Sequence, residues 1–322
     1  MGRLFSIGEA LIDFIPLEPK PTLAEVEAFA KRPGGAPANV AVAAAKLGSS
    51  ANFVGMVGDD PFGHFLIDTI SGYGVNVDFM RTTKEAKTAL AFVTLGENGA
   101  RDFSFYRSPS ADLLLKKEDV ADLEFRNTDL LNFGTVDLVD YPVRYATEYL
   151  LKKAKKAGAA ILFDPNIRKD LWNDLDACKQ VILEFAKYAE IFKMADDEIG
   201  FITGKTSVEE GVAYAQNELH VPNVIVTLGS KGSEIFCDKK KAFAPSVKIK
   251  VVDTTGAGDS FVGAFMNRLD VSGKRINELS EDELTEILSF ANLAAAMVCE
   301  QKGAMNAAPT MRQIMARKGG NN

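Results

Sequence analysis

Short apolar runs alternate along this chain with stretches whose apolar positions recur every three or four residues. The runs at 4–7, 52–57, 130–133, 160–163, 191–194 and 224–228 read as buried strands. The stretches at 38–47, 61–73, 141–157, 177–189 and 208–219 read as amphipathic helices. This alternation predicts an α/β fold: a doubly wound, mostly parallel sheet with helices on both faces. Such sheets bind ligands beyond the carboxyl ends of their strands.

Two segments interrupt the rhythm. Residues 88–95 and 102–106 are rich in strand formers and are joined by Gly96-Glu97-Asn98-Gly99, whose Asn-Gly step signals a hairpin. Residues 10–33 carry Pro16, Pro19 and Pro21 and follow neither period. Together they predict a small β-sheet formed by about 10–33 and 86–108, inserted in one domain spanning 1–322. It reads equally as surface decoration and as a lid that closes over a ligand.

Composition narrows the partners. The 322 residues are 47% hydrophobic and 25% charged, as in an ordinary soluble globular protein. A net charge of −7 argues against nucleic acid or an anionic membrane as the main partner, so an anionic ligand must be held by local features. Cys178, Cys237 and Cys299 have no paired spacing and read as reduced thiols of a cytoplasmic protein. With only His64 and His220, a His-rich zinc site or a Ser-His-Asp triad is not expected. No apolar run is long enough to span a bilayer.

The most informative stretch is Asp253-Thr254-Thr255-Gly256-Ala257-Gly258-Asp259-Ser260-Phe261. An alternating run at 247–252 reads as a strand leading in, and Phe261, Val262, Phe265 and Leu269 mark a helix leading out. Gly256, Ala257 and Gly258 would then offer backbone N–H groups at a helix N-terminus, which is an anion site. Asp259 could be a cap. A carboxylate beside an anion loop is better explained as the acceptor of a proton from an attacking hydroxyl, which is what phosphoryl transfer requires. The helix dipole should keep Asp259 ionised, making it a base by position. The run Gly200-Phe201-Ile202-Thr203-Gly204-Lys205-Thr206 is one residue short of a P-loop and follows a helix, so Gly204 reads as a helix C-cap. The third glycine of a dinucleotide fingerprint is missing after Gly258.

Residues 253–265 resemble the second signature of the ribokinase-like, or PfkB, carbohydrate kinases. Gly34-Gly35-Ala36-Pro37-Ala38-Asn39-Val40-Ala41 resembles part of the first. With Gly55-Met56-Val57-Gly58-Asp59-Asp60-Pro61-Phe62-Gly63, the likeness runs from residue 6 to about residue 309. Gly8-Glu9-Ala10-Leu11-Ile12-Asp13-Phe14, the 88–93 and 103–107 segments and Ala111-Asp112-Leu113 are similar to fructokinases in particular.

The resemblance implies a kinase moving the ATP γ-phosphoryl to a sugar hydroxyl, D-fructose first, with Asp259 as base and 256–258 as anion hole. Its implied sugar ligands are Asp13, placed at the end of a first-strand segment, Gly34, Gly35, Asn39 and Arg107. The residues themselves agree: a carboxylate can accept two hydroxyls, and Asn39 offers a donor and an acceptor one turn into a helix. Arg168, after the 160–163 strand, would neutralise the triphosphate. Asn166, Thr227, Gly229, Gly232 and Asn292 would lie on the nucleotide side, although the two glycines also read as turn residues. Glu198 resembles the family's acid that orders water around Mg²⁺; Ala195 stands where an Asn is common, and Asp196 and Asp197 could compensate. Asp253 and Thr255 resemble a loop for a monovalent cation, K⁺ among them. A homodimer through the lid is compatible with the pattern. The competing readings are a 2-keto-3-deoxygluconate kinase or ribokinase of the same family, and a catalytically silent sugar-binding regulator.

Overall fold

A computed structural model describes residues 1–18, 22–95, 101–172 and 174–319. Its large sheet contains β1 (Arg3–Ile7), β4 (Ser50–Gly58), β5 (Asn76–Thr83), β8 (Leu130–Phe133), β9 (Ala160–Phe163), β10 (Ile191–Ala195), β11 (Asn223–Thr227), β12 (Gly232–Cys237) and β13 (Lys240–Pro245). The strand order is β13-β12-β11-β10-β9-β8-β1-β4-β5. All neighbours are parallel except the β11–β12 and β12–β13 pairs, which form an antiparallel edge.

The central strands are buried on both faces; β8 and β9 have no exposed residue. Apolar residues therefore run without alternation, as the sequence predicted. One face packs on α1 (Ala36–Lys46), α7 (Ala257–Ser272) and α8 (Glu281–Cys299), through Val40, Phe261, Phe265 and Leu288 among others. The other packs on α3 (Pro142–Ala157), α4 (Leu175–Ala186), α5 (Asp196–Thr203) and α6 (Val208–Asn217), through Leu150, Phe185, Ile199 and Val212. Phe133 and Phe163 stack with ring centres 4.3 Å apart between neighbouring strands. The helices α2 (Pro61–Gly72) and α9 (Met311–Gly319) complete the set.

The interrupted segments form the second sheet, β3-β2-β6-β7, from β2 (Leu11–Pro16), β3 (Phe29–Gly34), β6 (Leu90–Leu95) and β7 (Arg101–Tyr106). The turn expected at 96–99, residues 19–21 of the first segment and the end of the chain at 320–322 lie outside the described residues.

One predicted element is absent. Residues 247–252 form no strand, and Val251 and Val252 are 59% and 50% exposed. Alternation marks an extended backbone, but a strand also needs a ladder partner, and β13 already closes that edge. Instead the N–H groups of Val252 and Asp253 donate to the Cys299 carbonyl at the end of α8. The glycine loop therefore enters α7 from an extended segment tied to a helix end. Gly204 ends α5 in the left-handed conformation, as predicted.

Candidate active site

Because seven strands run parallel, the ends of β1, β8, β9 and β10 open on one edge of the sheet. Above that edge α1 and α7 approach closely. A side chain on Gly263 would stand 2.8 Å from the Val40 carbonyl oxygen, so only glycine permits this spacing. The approach brings Asn39, in the first turn of α1, to Asp259, the third residue of α7. The Asn39 Nδ2 donates to Asp259 Oδ2 at 2.7 Å, and both residues are buried. The turn before α1 depends on Gly35 at φ 104°, whose carbonyl accepts the Asn39 N–H at 2.9 Å.

Burial pushes the Asp259 carboxyl above its ordinary range, against the opposing pull of Asn39, Arg168 and Lys193. The expectation that the helix dipole governs this group is corrected, since desolvation outweighs it. The loop is also less open than expected. The Ala257 N–H turns back to the Thr254 carbonyl at 3.2 Å, so it is not free for a ligand. A side chain on Gly258 would stand 3.7 Å from the Lys193 Nζ.

Lys193 is buried in the middle of β10 and bonds both oxygens of Asp164, at 3.0 and 3.2 Å. Burial works to lower the lysine, but Asp164, Glu198 and Asp259 overcome it and hold the ammonium above its usual value. Asp164 itself is raised by burial, with Lys193 opposing. Neither Lys193 nor Asp164 is singled out by sequence reasoning; the available signal is a lysine inside the otherwise apolar run Ile191-Phe192-Lys193-Met194. Glu198 stands at the start of α5, its oxygens accepting the N–H groups of Ile167 and Ala195, each at 2.9 Å. Burial raises its carboxyl too. Asp196 and Asp197 are exposed. Arg168 is half-buried after β9, and Asn166 before it takes a positive φ of 45°.

Asp13 does not end the first strand. It lies inside β2 of the small sheet, opposite Arg32, because the chain leaves the large sheet at residue 8. Gly34 makes room for it: a side chain there would stand 2.2 Å from Asp13 Oδ2. Arg107, just beyond β7, is 7% exposed. Its Nε donates to Asp112 at 2.6 Å, its Nη1 to the Val136 carbonyl at 2.9 Å, and its Nη2 to Asp137. Glu9 is the third acid around this guanidinium.

Thr227, Gly229, Gly232 and Asn292 form a separate group around β11–β13 and α8. The glycines make the connection between β11 and β12, matching the turn reading. Asn292 accepts from Ser233 Oγ at 3.0 Å and donates to the Ala244 carbonyl at 2.9 Å. Asp253 accepts the Thr255 and Gly303 N–H groups at 2.8 and 2.9 Å, and the Thr255 hydroxyl is buried with no hydrogen-bond partner. An unpaired hydroxyl beside a carboxylate fits a monovalent cation. Among the described residues no group of three or more His, Cys, Asp or Glu could hold a metal ion.

Residues 1–311 match the model of the pfkB family of carbohydrate kinases. The chain is 42% identical to the probable fructokinase-5 of Arabidopsis thaliana over 95% of its own length and 94% of the relative's. A double mutant of the Vibrio cholerae O395 fructokinase, solved with fructose, ADP and potassium ion, superposes with a TM-score of 0.87 at 32% identity, covering 98% of each chain. The aminoimidazole riboside kinase of Salmonella enterica, complexed with its riboside and an ATP analogue, gives a TM-score of 0.85 at 31% identity, again over 98% of each chain. The protein belongs to the pfkB family and is a carbohydrate kinase with the ribokinase-like fold.

Proposed function

We propose that the protein transfers the γ-phosphoryl group of ATP to D-fructose, forming fructose 6-phosphate. The observation that carries this reading is the buried Asp259 at the first turn of α7, hydrogen-bonded to Asn39 and facing Arg168 and Lys193. Asp259 takes the proton of the attacking sugar hydroxyl as the new O–P bond forms and the bond to the ADP oxygen breaks. A carboxyl raised by burial is a stronger base once ionised than an exposed aspartate. The N–H groups of Gly256 and Gly258 and the Arg168 guanidinium stabilise charge on the phosphoryl oxygens.

Asp13, the Gly34–Gly35 turn and Asn39 hold the sugar hydroxyls, and the small sheet closes over them as a lid. Asn166, Thr227, Gly229, Gly232 and Asn292 border the nucleotide, the last by fixing α8 to the β-edge. Mg²⁺, held through water by Glu198, would supply charge neutralisation on the phosphates. Asp253 and Thr255 would hold a monovalent ion beside the loop.

The fructokinase relatives support fructose over an acid sugar. The Arg107 surroundings point the same way: its donors are taken by Asp112, Asp137 and a carbonyl, which leaves a poor partner for a substrate carboxylate. The test is ADP release by purified protein with ATP and Mg²⁺ across fructose, ribose, aminoimidazole riboside and 2-keto-3-deoxygluconate. Turnover with fructose is expected; turnover only with another acceptor would overturn the substrate and keep the chemistry.

A further inference from the structure

Glu9 and Asp137 have no part in the transfer described so far, yet Glu9 lines the cleft with Asp259 and Asp164. Glu9 lies in the passage from β1 of the large sheet to β2 of the small one, and Asp137 lies beyond β8. One oxygen of Glu9 accepts the Ala36 N–H at 2.8 Å, at the start of α1. Its carbonyl lies under Gly35, where a side chain would come within 2.3 Å. The Gly8 backbone just before it packs on Pro37 and on Asp137 Oδ2, which a side chain at Gly8 would meet at 2.4 and 3.4 Å. Glu9 therefore braces the Gly35–Asn39 turn that carries the Asn39–Asp259 bond.

The second oxygens of Glu9 and Asp137, Oε2 and Oδ2, are both buried without a hydrogen-bond partner. Asp112, by contrast, uses both of its oxygens, accepting from Arg107 Nε at 2.6 Å and from Ser110 Oγ at 2.5 Å. Three carboxylates thus surround one guanidinium, and two carboxylate oxygens lack donors. Unpaired buried acceptors are costly, and a proton turns such an oxygen into a donor while lowering the negative charge around Arg107.

We infer that Glu9 is a positioning residue for phosphoryl transfer: the cluster of Glu9, Asp112 and Asp137 around Arg107 keeps a proton, and in that state Glu9 holds the Gly35–Asn39 turn against Asp259. Burial pushes Glu9 up to about 7, with Arg107 opposing, and burial raises Asp137 as well. The charged groups facing the pair are Arg107 and Asp112 from the segment after β7. Asp259, Asp164 and Asn166 share the cleft wall with Glu9, and Arg168 and Lys193 act on the two acids among them. Loss of that proton above neutral pH adds a negative charge at the base of that turn. The low-pH limit on the rate belongs to Asp259, which must lose its proton, and the high-pH limit to this cluster, which must keep one.

This rests on the kinase reading, and the wild-type protein separates the two. Absence of turnover with any sugar would sink that reading rather than this one. With active wild type, kcat/KM for fructose is expected to fall several-fold between pH 7 and 8.5. Glu9→Gln keeps the acceptor for Ala36 and carries a permanent donor, so its alkaline fall disappears. Asp137→Asn does the same from the other side. Infrared difference spectra of the folded protein, without substrate, should show a buried protonated carboxyl in wild type that is lost on raising the pH and absent in Glu9→Gln. An alkaline limb identical in wild type and both variants, or wild-type spectra without that carboxyl band, would overturn the inference. If either variant fails to fold, the wild-type spectrum alone still decides it.

Discussion

Two buried charge clusters flank the cleft, and they are satisfied in different ways. Around Lys193 every carboxylate oxygen of Asp164 and Glu198 has a fixed donor, an ammonium or a backbone N–H. Around Arg107, Glu9 and Asp137 each keep one oxygen without any. The first cluster is satisfied by fixed donors without an added proton. The second is complete only with a proton, so its charge depends on pH. Burial alone does not distinguish them, since both are enclosed; the supply of donors does.

The sharpest break in the first cluster is Asp259→Asn. It keeps size and hydrogen bonding but removes the proton acceptor. Turnover should fall by about 10²–10⁴-fold, while binding of fructose, followed calorimetrically, persists. Full activity would remove Asp259 from the chemistry. Lys193→Met comes next. It strands Asp164 as a buried unpaired acid and should destabilise the fold by about 3–5 kcal/mol at neutral pH. Urea unfolding at pH 7 checks it. A loss below about 1 kcal/mol would mean the pair behaves as a surface contact.

The second cluster is probed by the pH dependence of stability. The folded pKa of Glu9 is raised from 4.5 to about 7, so the folded state binds the proton more tightly than the unfolded chain. Its contribution is fully present below pH 4.5 and is lost as pH rises through about 7. The whole effect is roughly 3 kcal/mol at most. Glu9→Gln should flatten the unfolding free energy across that window, read by urea titration at pH 5, 6, 7 and 8. A wild-type curve that does not fall relative to Glu9→Gln would show that Glu9 titrates normally.

The six central strands were legible because they are buried on both faces, and their observed ends lie within two residues of the expected ones; β5, β12 and β13, more exposed at the sheet's edges, were not predicted. The glycine loop and Asp259 were legible because a helix start, small residues and a carboxylate are all local features. What failed was long-range. Asp13 looked like the end of β1 because the apolar run continues through it, yet the chain changes sheets at residue 8. The 247–252 alternation lacked a partner strand that only the assembled edge could reveal. Arg107 was expected at the sugar; of the acids that take its donors, Asp112 is local, but Asp137 lies 30 residues away, beyond β8. Asn39 and Asp259 are 220 residues apart, and their contact depends on the bare Gly263 between two helices.

That contact carries the smallest of the predicted effects. The Asn39 N–H stabilises the ionised form of Asp259, while burial destabilises it. Asn39→Ala removes the donor and leaves the burial, so the Asp259 carboxyl should rise further. A hydrogen bond to a charged group is worth about 1.5–3 kcal/mol, which corresponds to roughly one to two pH units. The acid limb of kcat should therefore move to higher pH by that amount. KM for the sugar should also rise, since Asn39 borders the hydroxyls in the proposed mechanism. The two effects separate cleanly: a lost sugar contact changes KM at every pH, whereas a less acidic Asp259 moves only the limb. An unmoved acid limb in Asn39→Ala would mean that another group sets the low-pH limit, and Asp164, buried and raised in the same cluster, is the next to replace.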